Sequence, residues 1–458
     1  MPKKKTALTI EERLQQALVP AEEQPYEVPE NWVWVRLGAI AEIVTGGTPS
    51  KKHPEYYGGN FPFYKPSDLD QGRLTYDASE YLSEEGKNVS RIIPKNSTAV
   101  CCIGSIGKCG YLMCEGTTNQ QINSAIPKIN SLCLYYYLCT ENFVQDLLSM
   151  ASATTIAIVN KSKMESCAFP LPPLSEQQRI VERIEELFAK LDEAKERLQE
   201  VADSFAVRKA AILHKAFTGE LTKQWRWENG VSDESWEEIT WGSFIEKIEA
   251  GKNWNALGRP PKNGEFGVVK VSAVTWGEFL EDESKTCTEE SQWNEEKRIS
   301  VGDFLFSRAN TIQLVGNCVI VKDVKRKLML SDKILRFSLS ERVYDFFALW
   351  YTRTSSYRKQ IESVASGNQD GMRNISQNNM KMIIFPLPTL PEQHEIVRLI
   401  DDLLARERAA QQAAEQALAS IDLMKKSILA RAFRGELGTN KASEASALEL
   451  LKQVLAEN

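Results

Sequence analysis

The stretch "LPPLSEQQRIVERIEEL" at residues 171–187 returns almost unchanged as "LPTLPEQHEIVRLIDDL" at 387–403. The offset of 216 holds from Phe169/Phe385 to Leu221/Leu437, which is 53 positions without a gap, 22 of them identical. Loops drift in length, whereas a rigid element with a fixed job does not. The repeat is helical in character. No Pro occurs from 174 to 235 or from 392 onward, and no Gly from 174 to 218 or from 392 to 434. Each copy predicts a helix of about 43 residues, roughly 64 Å long at 1.5 Å per residue.

The apolar residues of the first copy are Ile180, Ile184, Leu187, Leu191, Ala194, Leu198, Val201, Phe205 and Ile212, with Arg208 interrupting. The second has Ile396, Ile400, Leu403, Ala410, Ala414, Ala417, Ile421, Met424 and Ile428, with Glu407 interrupting. Steps of four and three make a heptad seam, which packs against a partner helix with left-handed supercoiling. The simplest partner for each copy is the other, running antiparallel, with small alanines receiving the Leu and Phe knobs. Ser175 with Gln178, and Thr389 with Glu392, have capping-box spacing. Gly219 and Gly435 stand where a left-handed residue closes a helix.

The regions 30–168 and 236–384 read as mixed α/β. Strands are expected at "STAVCCIG", "INSAIPKI", "GVVKVSAV", "GDFLFS", "GNCVIV" and "KILRFSL". Each region ends in an aromatic-rich helical run, then a polar loop and a strand before "FPLP". Short helices are expected at Thr9–Leu18, with Thr9 and Glu12 as a capping box, and at Ala447–Leu455. The predicted order is leader 1–29, first domain 30–168, long helix 169–221, linker 222–235, second domain 236–384, long helix 385–437 and tail 438–458. The fold class is α+β: two mixed α/β globular domains separated by two long antiparallel coiled-coil helices, with pseudo-two-fold symmetry. Such an object suits duplex DNA, whose half-sites recur about every 34 Å and present opposite strands equivalently.

Little in the chain suggests chemistry. There is no Gly-rich S-adenosylmethionine loop followed by [DN]PP[YF]; the only Pro-Pro pairs are 172–173 and 260–261. "GSIGKCG" (104–110) lacks the glycine spacing and the Ser/Thr of a phosphate loop, and reads as a turn presenting Ser105 and Lys108. "EDESK" (281–285) reads as a solvated charge run. Nine cysteines, seven of them between Cys101 and Cys167, contain no CxxC pair, and three histidines offer few zinc ligands. Buried free thiols are the expectation. No membrane-length apolar segment or signal h-region is present, Lys3–Lys5 being a short tail, so a cytoplasmic location is expected.

The paired "PLPPLSEQQRIVERI" and "PLPTLPEQHEIVRLI", the "AFTGEL" and "AFRGEL" ends and the domain–helix order resemble the specificity subunit of type I restriction–modification systems. The resemblance covers nearly the whole chain. It implies two target-recognition domains reading a split, asymmetric DNA sequence, and helices that act as a spacer ruler and as docking surface for two methyltransferase subunits. Restriction subunits can join. S-adenosylmethionine and ATP with magnesium would belong to those partners, none to this non-catalytic chain.

Base-edge reading calls for polar and basic side chains on loops at strand ends. In the first domain the candidates are Lys65, Ser67, Ser105, Lys108, Asn119, Gln120, Gln121, Thr154 and Thr155. In the second they are Lys270, Ser272, Arg308, Asn310, Thr311, Lys333, Asn368, Gln369 and Arg373. Lys65 corresponds to Lys270, and the loop of Lys108 to that of Arg308. Net charge is −6, and each domain is nearly neutral, with 12 basic and 12 acidic residues over 31–168 and 21 and 20 over 236–384. Weak DNA binding by the isolated chain follows. The competing reading is a coiled-coil adaptor joining two protein-binding domains without DNA contact.

Overall fold

The structure, a computed structural model, describes residues 9–152, 157–369 and 372–457. Helix α1 (Ile10–Ala17) opens on the expected capping box, with the Thr9 and Glu12 side chains each bonded to the other's N–H. The first domain has strands β1 (Val33–Arg36), β2 (Ala41–Thr45), β3 (Tyr57–Tyr64), β4 (Glu80–Leu82), β5 (Thr98–Cys101), β6 (Cys109–Tyr111), β7 (Thr117–Thr118), β8 (Ile122–Pro127) and β9 (Ala168–Leu171). Its helices are the short α2 (Leu37–Ile40) and α3 (Glu84–Asn88), then α4 (Ser131–Leu138), α5 (Glu141–Met150) and α6 (Lys161–Ser166). The first long segment is α7 (Leu174–Asp203) and α8 (Phe205–Phe217), followed by α9 (Lys223–Asn229).

The second domain has β10 (Glu237–Thr240), β11 (Ile245–Ala250), β12 (Ala256–Leu257), β13 (Phe266–Val269), β14 (Ser284–Cys287), β15 (Phe304–Ser307), β16 (Ala309–Asn310), β17 (Cys318–Ile320), β18 (Lys327–Met329), β19 (Ile334–Leu339), β20 (Ser366–Gln369), β21 (Met372–Asn374) and β22 (Ile384–Leu387). Its helices are α10 (Asp345–Tyr351), α11 (Ser355–Val364) and α12 (Gln377–Lys381). Helix α13 (Leu390–Ala432) and the tail helix α14 (Ala447–Ala456) end the chain.

The two domains share one topology. The first has a four-stranded antiparallel sheet β2-β8-β5-β6, and the second has β11-β19-β15-β17 in the same order. A second sheet is β4-β3-β7 in one and β12-β14-β13-β18 in the other, each with one parallel pair. The "FPL" segments form strands: β9 pairs with β1, and β22 with β10. The aromatic runs supply the cores, with Tyr137, Phe143 and Phe169 in the first and Phe347, Tyr357 and Phe385 in the second, all fully or nearly buried.

The chain divides into two compact units. Unit 1 is residues 1–198 with 416–458, and unit 2 is 199–415. Each therefore holds one domain, the near half of the long helix leaving it and the far half of the other long helix. Within unit 1 the halves run antiparallel: Arg179 bonds Glu444 and the Thr439 carbonyl, and Asp192 meets Lys425. Within unit 2, Arg208 meets Glu407 while Arg226 meets Glu392. In both, numbering rises along one strand of helix as it falls along the other.

The second long helix is unbroken over 43 residues, with no Gly and with its one Pro, Pro391, in the first turn, where a missing N–H costs no helical bond. The first is not: it breaks at Ser204. At the break the Ser204 hydroxyl and the Arg208 guanidinium both bond the Val201 carbonyl. All nine cysteines are free thiols, six of them buried.

Candidate nucleic-acid interface and helix anchors

In each domain, the loop leaving the central strand gathers the other candidate loops around it. In the first domain Cys102, just after β5, donates to the Gln121 carbonyl at 2.7 Å and accepts from the Val159 N–H at 2.9 Å. Ile103 bridges Ile158, Lys108 pairs with Asp70 at 2.6 Å, and Asn119 N–H donates to the Tyr64 carbonyl at 3.1 Å. In the second domain Arg308, just after β15, donates its N–H to the Lys333 carbonyl at 3.0 Å and accepts from the Ile375 N–H at 2.9 Å. β16 pairs with β21, and Asn310 Nδ2 donates to Thr275 Oγ1 at 3.1 Å. Both sets of four loops are thus joined at the same end of the same sheet.

The individual side chains differ in how free they are. Lys65 and Lys270 each follow the equivalent strand, β3 or β13. Each pairs with an acid at the neighbouring strand, Lys65 with Glu80 at 2.8 Å and Lys270 with Glu283 at 3.6 Å. Asn119 is buried, its amide bonded to Gln121, whose N–H returns to Asn119 Oδ1. This shapes the turn. Ser67, Ser105 and Gln120 are exposed, and Gln120 accepts the Thr48 hydroxyl. Ser272 donates to Glu283, Asn310 Oδ1 accepts the Thr311 N–H, and Arg373 donates to the Gly367 carbonyl. Among the described residues, the Arg308 and Lys333 side chains have no hydrogen bond or ion pair. Thr154 and Thr155 lie outside the described residues, as do the side chains of Asn368 and Gln369, which fall on β20.

"GSIGKCG" is the β5–β6 turn, with Gly104 at φ 82° and Gly107 at φ 86°. A Cβ on Gly107 would lie 2.7 Å from Val144, so the turn packs directly on α5. The "EDESK" acids are engaged in structure: Glu281 accepts the Lys325 and Arg326 N–H groups, Asp282 pairs with Arg326, and Glu283 is held as above.

The repeated Glu-Gln anchors the start of each long helix. Glu176 is fully buried and accepts from Trp32 Nε1 at 2.7 Å, Asn440 at 2.8 Å and Thr439 at 3.2 Å. Glu392, equally buried, accepts from Thr222 at 2.6 Å, Arg226 at 2.7 Å and Trp236 at 3.1 Å. Each carboxylate joins the entry to its domain to the residues just past the end of the opposing helix. The adjacent glutamines bridge the Pro172 and Pro388 carbonyls to the N–H groups of Asn130 and Tyr344. The expected capping boxes therefore do not form. Ser175 lies inside α7, and the Glu392 carboxylate is drawn to Thr222, Arg226 and Trp236.

A family model described as "Type I restriction modification DNA specificity domain" matches residues 29–203 and again 233–417. The chain belongs to that family. Among its relatives, the type I restriction enzyme EcoKI specificity subunit of Escherichia coli strain K12 is 25% identical over 94% of this chain and 96% of its own length. The EcoR124I/EcoR124II specificity subunit of Escherichia coli is 35% identical over 32% of this chain and 39% of its own. The fold is that of the HsdS subunit from Thermoanaerobacter tengcongensis, with a TM-score of 0.63 at 18% identity over 90% of this chain and 99% of that one.

Burial along the helix seam of this specificity-family chain is uneven. Ile180, Ile184, Ile396, Ile400, Ala414 and Ile421 are buried, while Leu187, Leu191, Leu198, Phe205, Leu403 and Ala417 are half-buried. Val201, Ala410 and Met424 are exposed, contrary to the heptad expectation, and Leu404 rather than Leu403 takes the fully buried place. A 3.6-residue helix drifts from a 3.5-residue pattern, and a lone pair of helices covers only a narrow stripe. The two interruptions of the pattern explain each other, since Arg208 and Glu407 form an ion pair.

Sequence reasoning missed Trp276, which is 68% exposed in the loop after Lys270. Its neighbours are fixed: Asn317 donates to the Thr275 carbonyl at 2.9 Å and Arg353 to that of Gly277 at 3.2 Å. A tryptophan is normally assigned to a core, so only the structure shows it presented to solvent.

Proposed function

We propose that this chain is the DNA-sequence reader of a type I restriction–modification complex. Each domain reads one part of a bipartite, asymmetric target, and the long helices dock two methyltransferase subunits, with restriction subunits able to join. The chain itself is non-catalytic and works in the cytoplasm. S-adenosylmethionine is used by the methyltransferases, and ATP with magnesium by the restriction subunits.

The observation that carries this reading is the convergence of four polar loops at one sheet end in both domains. Topology is shared while the loop residues differ, as two readers of unlike half-sites need. Arg308 and Lys333 have uncommitted cationic heads suited to guanine edges or phosphates. Lys65, Lys108 and Lys270 would exchange a surface carboxylate for phosphate, a small change because exposed ion pairs contribute about 0–1 kcal/mol.

Mapping methylated adenines genome-wide, with and without this gene, tests the proposal. A bipartite motif should vanish with the gene. Replacing residues 31–168 by the first domain of another family member should change one half of that motif and leave the other. An unchanged motif would refute the assignment.

A further inference from the structure

Unit 2 carries an open groove whose counterpart within unit 1 is filled by the leader of unit 1. The groove has a volume of about 750 Å³ and lies between the end of α8, the β10–β22 pair and the start of α11. Glu238, Ile384, Pro386, Tyr351, Phe217 and Thr218 line it. The shared repeat and topology place Trp34, Ala168, Pro170, Tyr137, Phe433 and Arg434 at the matching positions of unit 1.

There the leader closes the surface. Val19 donates its N–H to the Trp34 carbonyl at 3.0 Å, and Leu18 bridges Val35, so the leader adds to the outer edge of β1. Tyr26 packs edge-on to Trp34 with ring centroids 4.9 Å apart, beneath the Arg434 guanidinium at 5.3 Å. Val19, Trp34 and Ala168 form a buried cluster with Tyr26 and Val28.

In unit 2 no described residue adds to β10 beyond β22. The preceding α9 instead sends Arg226 to Glu392. Glu238 pairs with Pro386, which has no N–H, so the Glu238 backbone groups face away from β22, as those of Trp34 do opposite Pro170. Ile384, opposite Thr240 in that pair, is 42% exposed. The chemistry also differs in charge. Where unit 1 has Val33 and Trp34, unit 2 presents Glu237 and Glu238, both exposed. Glu238 has no ion pair among the described residues, whereas Glu237 pairs with Arg342 at 2.9 Å; Arg353 and Lys359 also line the groove.

We propose that this groove receives an extended segment of a partner polypeptide. The segment adds as a strand to the free edge of β10, seats an aromatic side chain over Ile384, and sets lysine or arginine against Glu238. Strand addition supplies main-chain bonds and the pocket supplies selectivity. This stands apart from the reading of the DNA loops.

Two fluorescent peptides covering residues 16–29 test it, one native and one carrying Glu22→Lys and Glu23→Lys. Each is titrated onto the full chain by polarisation. The unit 1 groove stays filled by its tethered leader. The lysine peptide should bind in the micromolar range, on the order of 10 μM, and the native one at least about tenfold more weakly, as one added charge contact implies. Glu238→Lys should narrow or reverse that preference. Ile384→Asp should abolish binding of both while leaving the circular dichroism spectrum unchanged. Failure of both peptides to bind, or binding that survives Ile384→Asp, would overturn the proposal.

Discussion

Glu176 and Glu392 occupy matching positions but face different partners. Glu176 is held by neutral donors, and Glu392 by a guanidinium that is itself only 7% exposed. Breaking a buried pair costs about 3–5 kcal/mol when the remaining charge has no other partner; Arg226 keeps the exposed Asp233 at 2.9 Å, which sets the cost at the low end of that range. Glu392→Leu should therefore unfold unit 2 at markedly lower urea, while Glu176→Gln, which keeps most of its bonds, should cost about 1–2 kcal/mol. Equal shifts in the two variants would contradict this account. Glu249 gives a pH signature. Burial pulls its carboxyl up, but Arg336, Lys247 and Lys297 prevail and hold it down at about 2. The folded pKa lies below the unfolded one near 4.3, so this stabilisation is complete above that value and fades as pH falls toward 2. Between pH 5 and pH 2, wild type should lose stability more steeply than Glu249→Gln in denaturant titrations. At the proposed DNA face, Trp276→Ala should alter methylation at one half-site only, read in the same adenine map as the domain exchange.

The elements most legible in sequence were those whose signal is local. Helix α13 announced itself by 43 residues without Gly or an interior Pro beyond the first turn, and α1 by its capping box. The break at Ser204 was hidden because no Gly or Pro stands near it. The aromatic runs read as single helices but are split at Thr140 and Thr354, whose hydroxyls cap α5 and α11. Helices α6 and α12 were absorbed into loops, although Asn160 and Ser376 cap them. The strands at "FPL" were concealed by proline, which an edge position tolerates. The candidate loops were found by residue type, but that Lys65 and Lys270 are committed to Glu80 and Glu283 depends on strand neighbours far apart in sequence. The Arg208–Glu407 pair invites a direct test. Its counterparts in the repeat are Met424 and Leu191. Arg208→Met alone should destabilise by about 1 kcal/mol, the pair being partly exposed. Arg208→Met with Glu407→Leu should recover that loss or exceed it, and a thermal melt of the double variant below the single would refute the explanation.

For the molecule as a whole, the equal lengths of the two long segments constrain engineering. If they set the separation of the half-sites, four residues inserted into either, about 6 Å of helix, should lengthen the tolerated DNA spacer by about one base pair at 3.4 Å per pair and partial tilt. An unchanged spacer in methylation mapping would exclude a ruler. The same construction bears on biosynthesis. Unit 2 is continuous in sequence, whereas unit 1 takes Leu429, Ala432, Phe433, Leu451 and Leu455 into its core from a stretch translated after unit 2. While the ribosome is still translating, the first-born domain must wait with an open apolar flank as the later one matures ahead of it. Chains ending at residue 415 and released from the ribosome should accordingly show a protease-resistant second domain and a first domain that still engages chaperones.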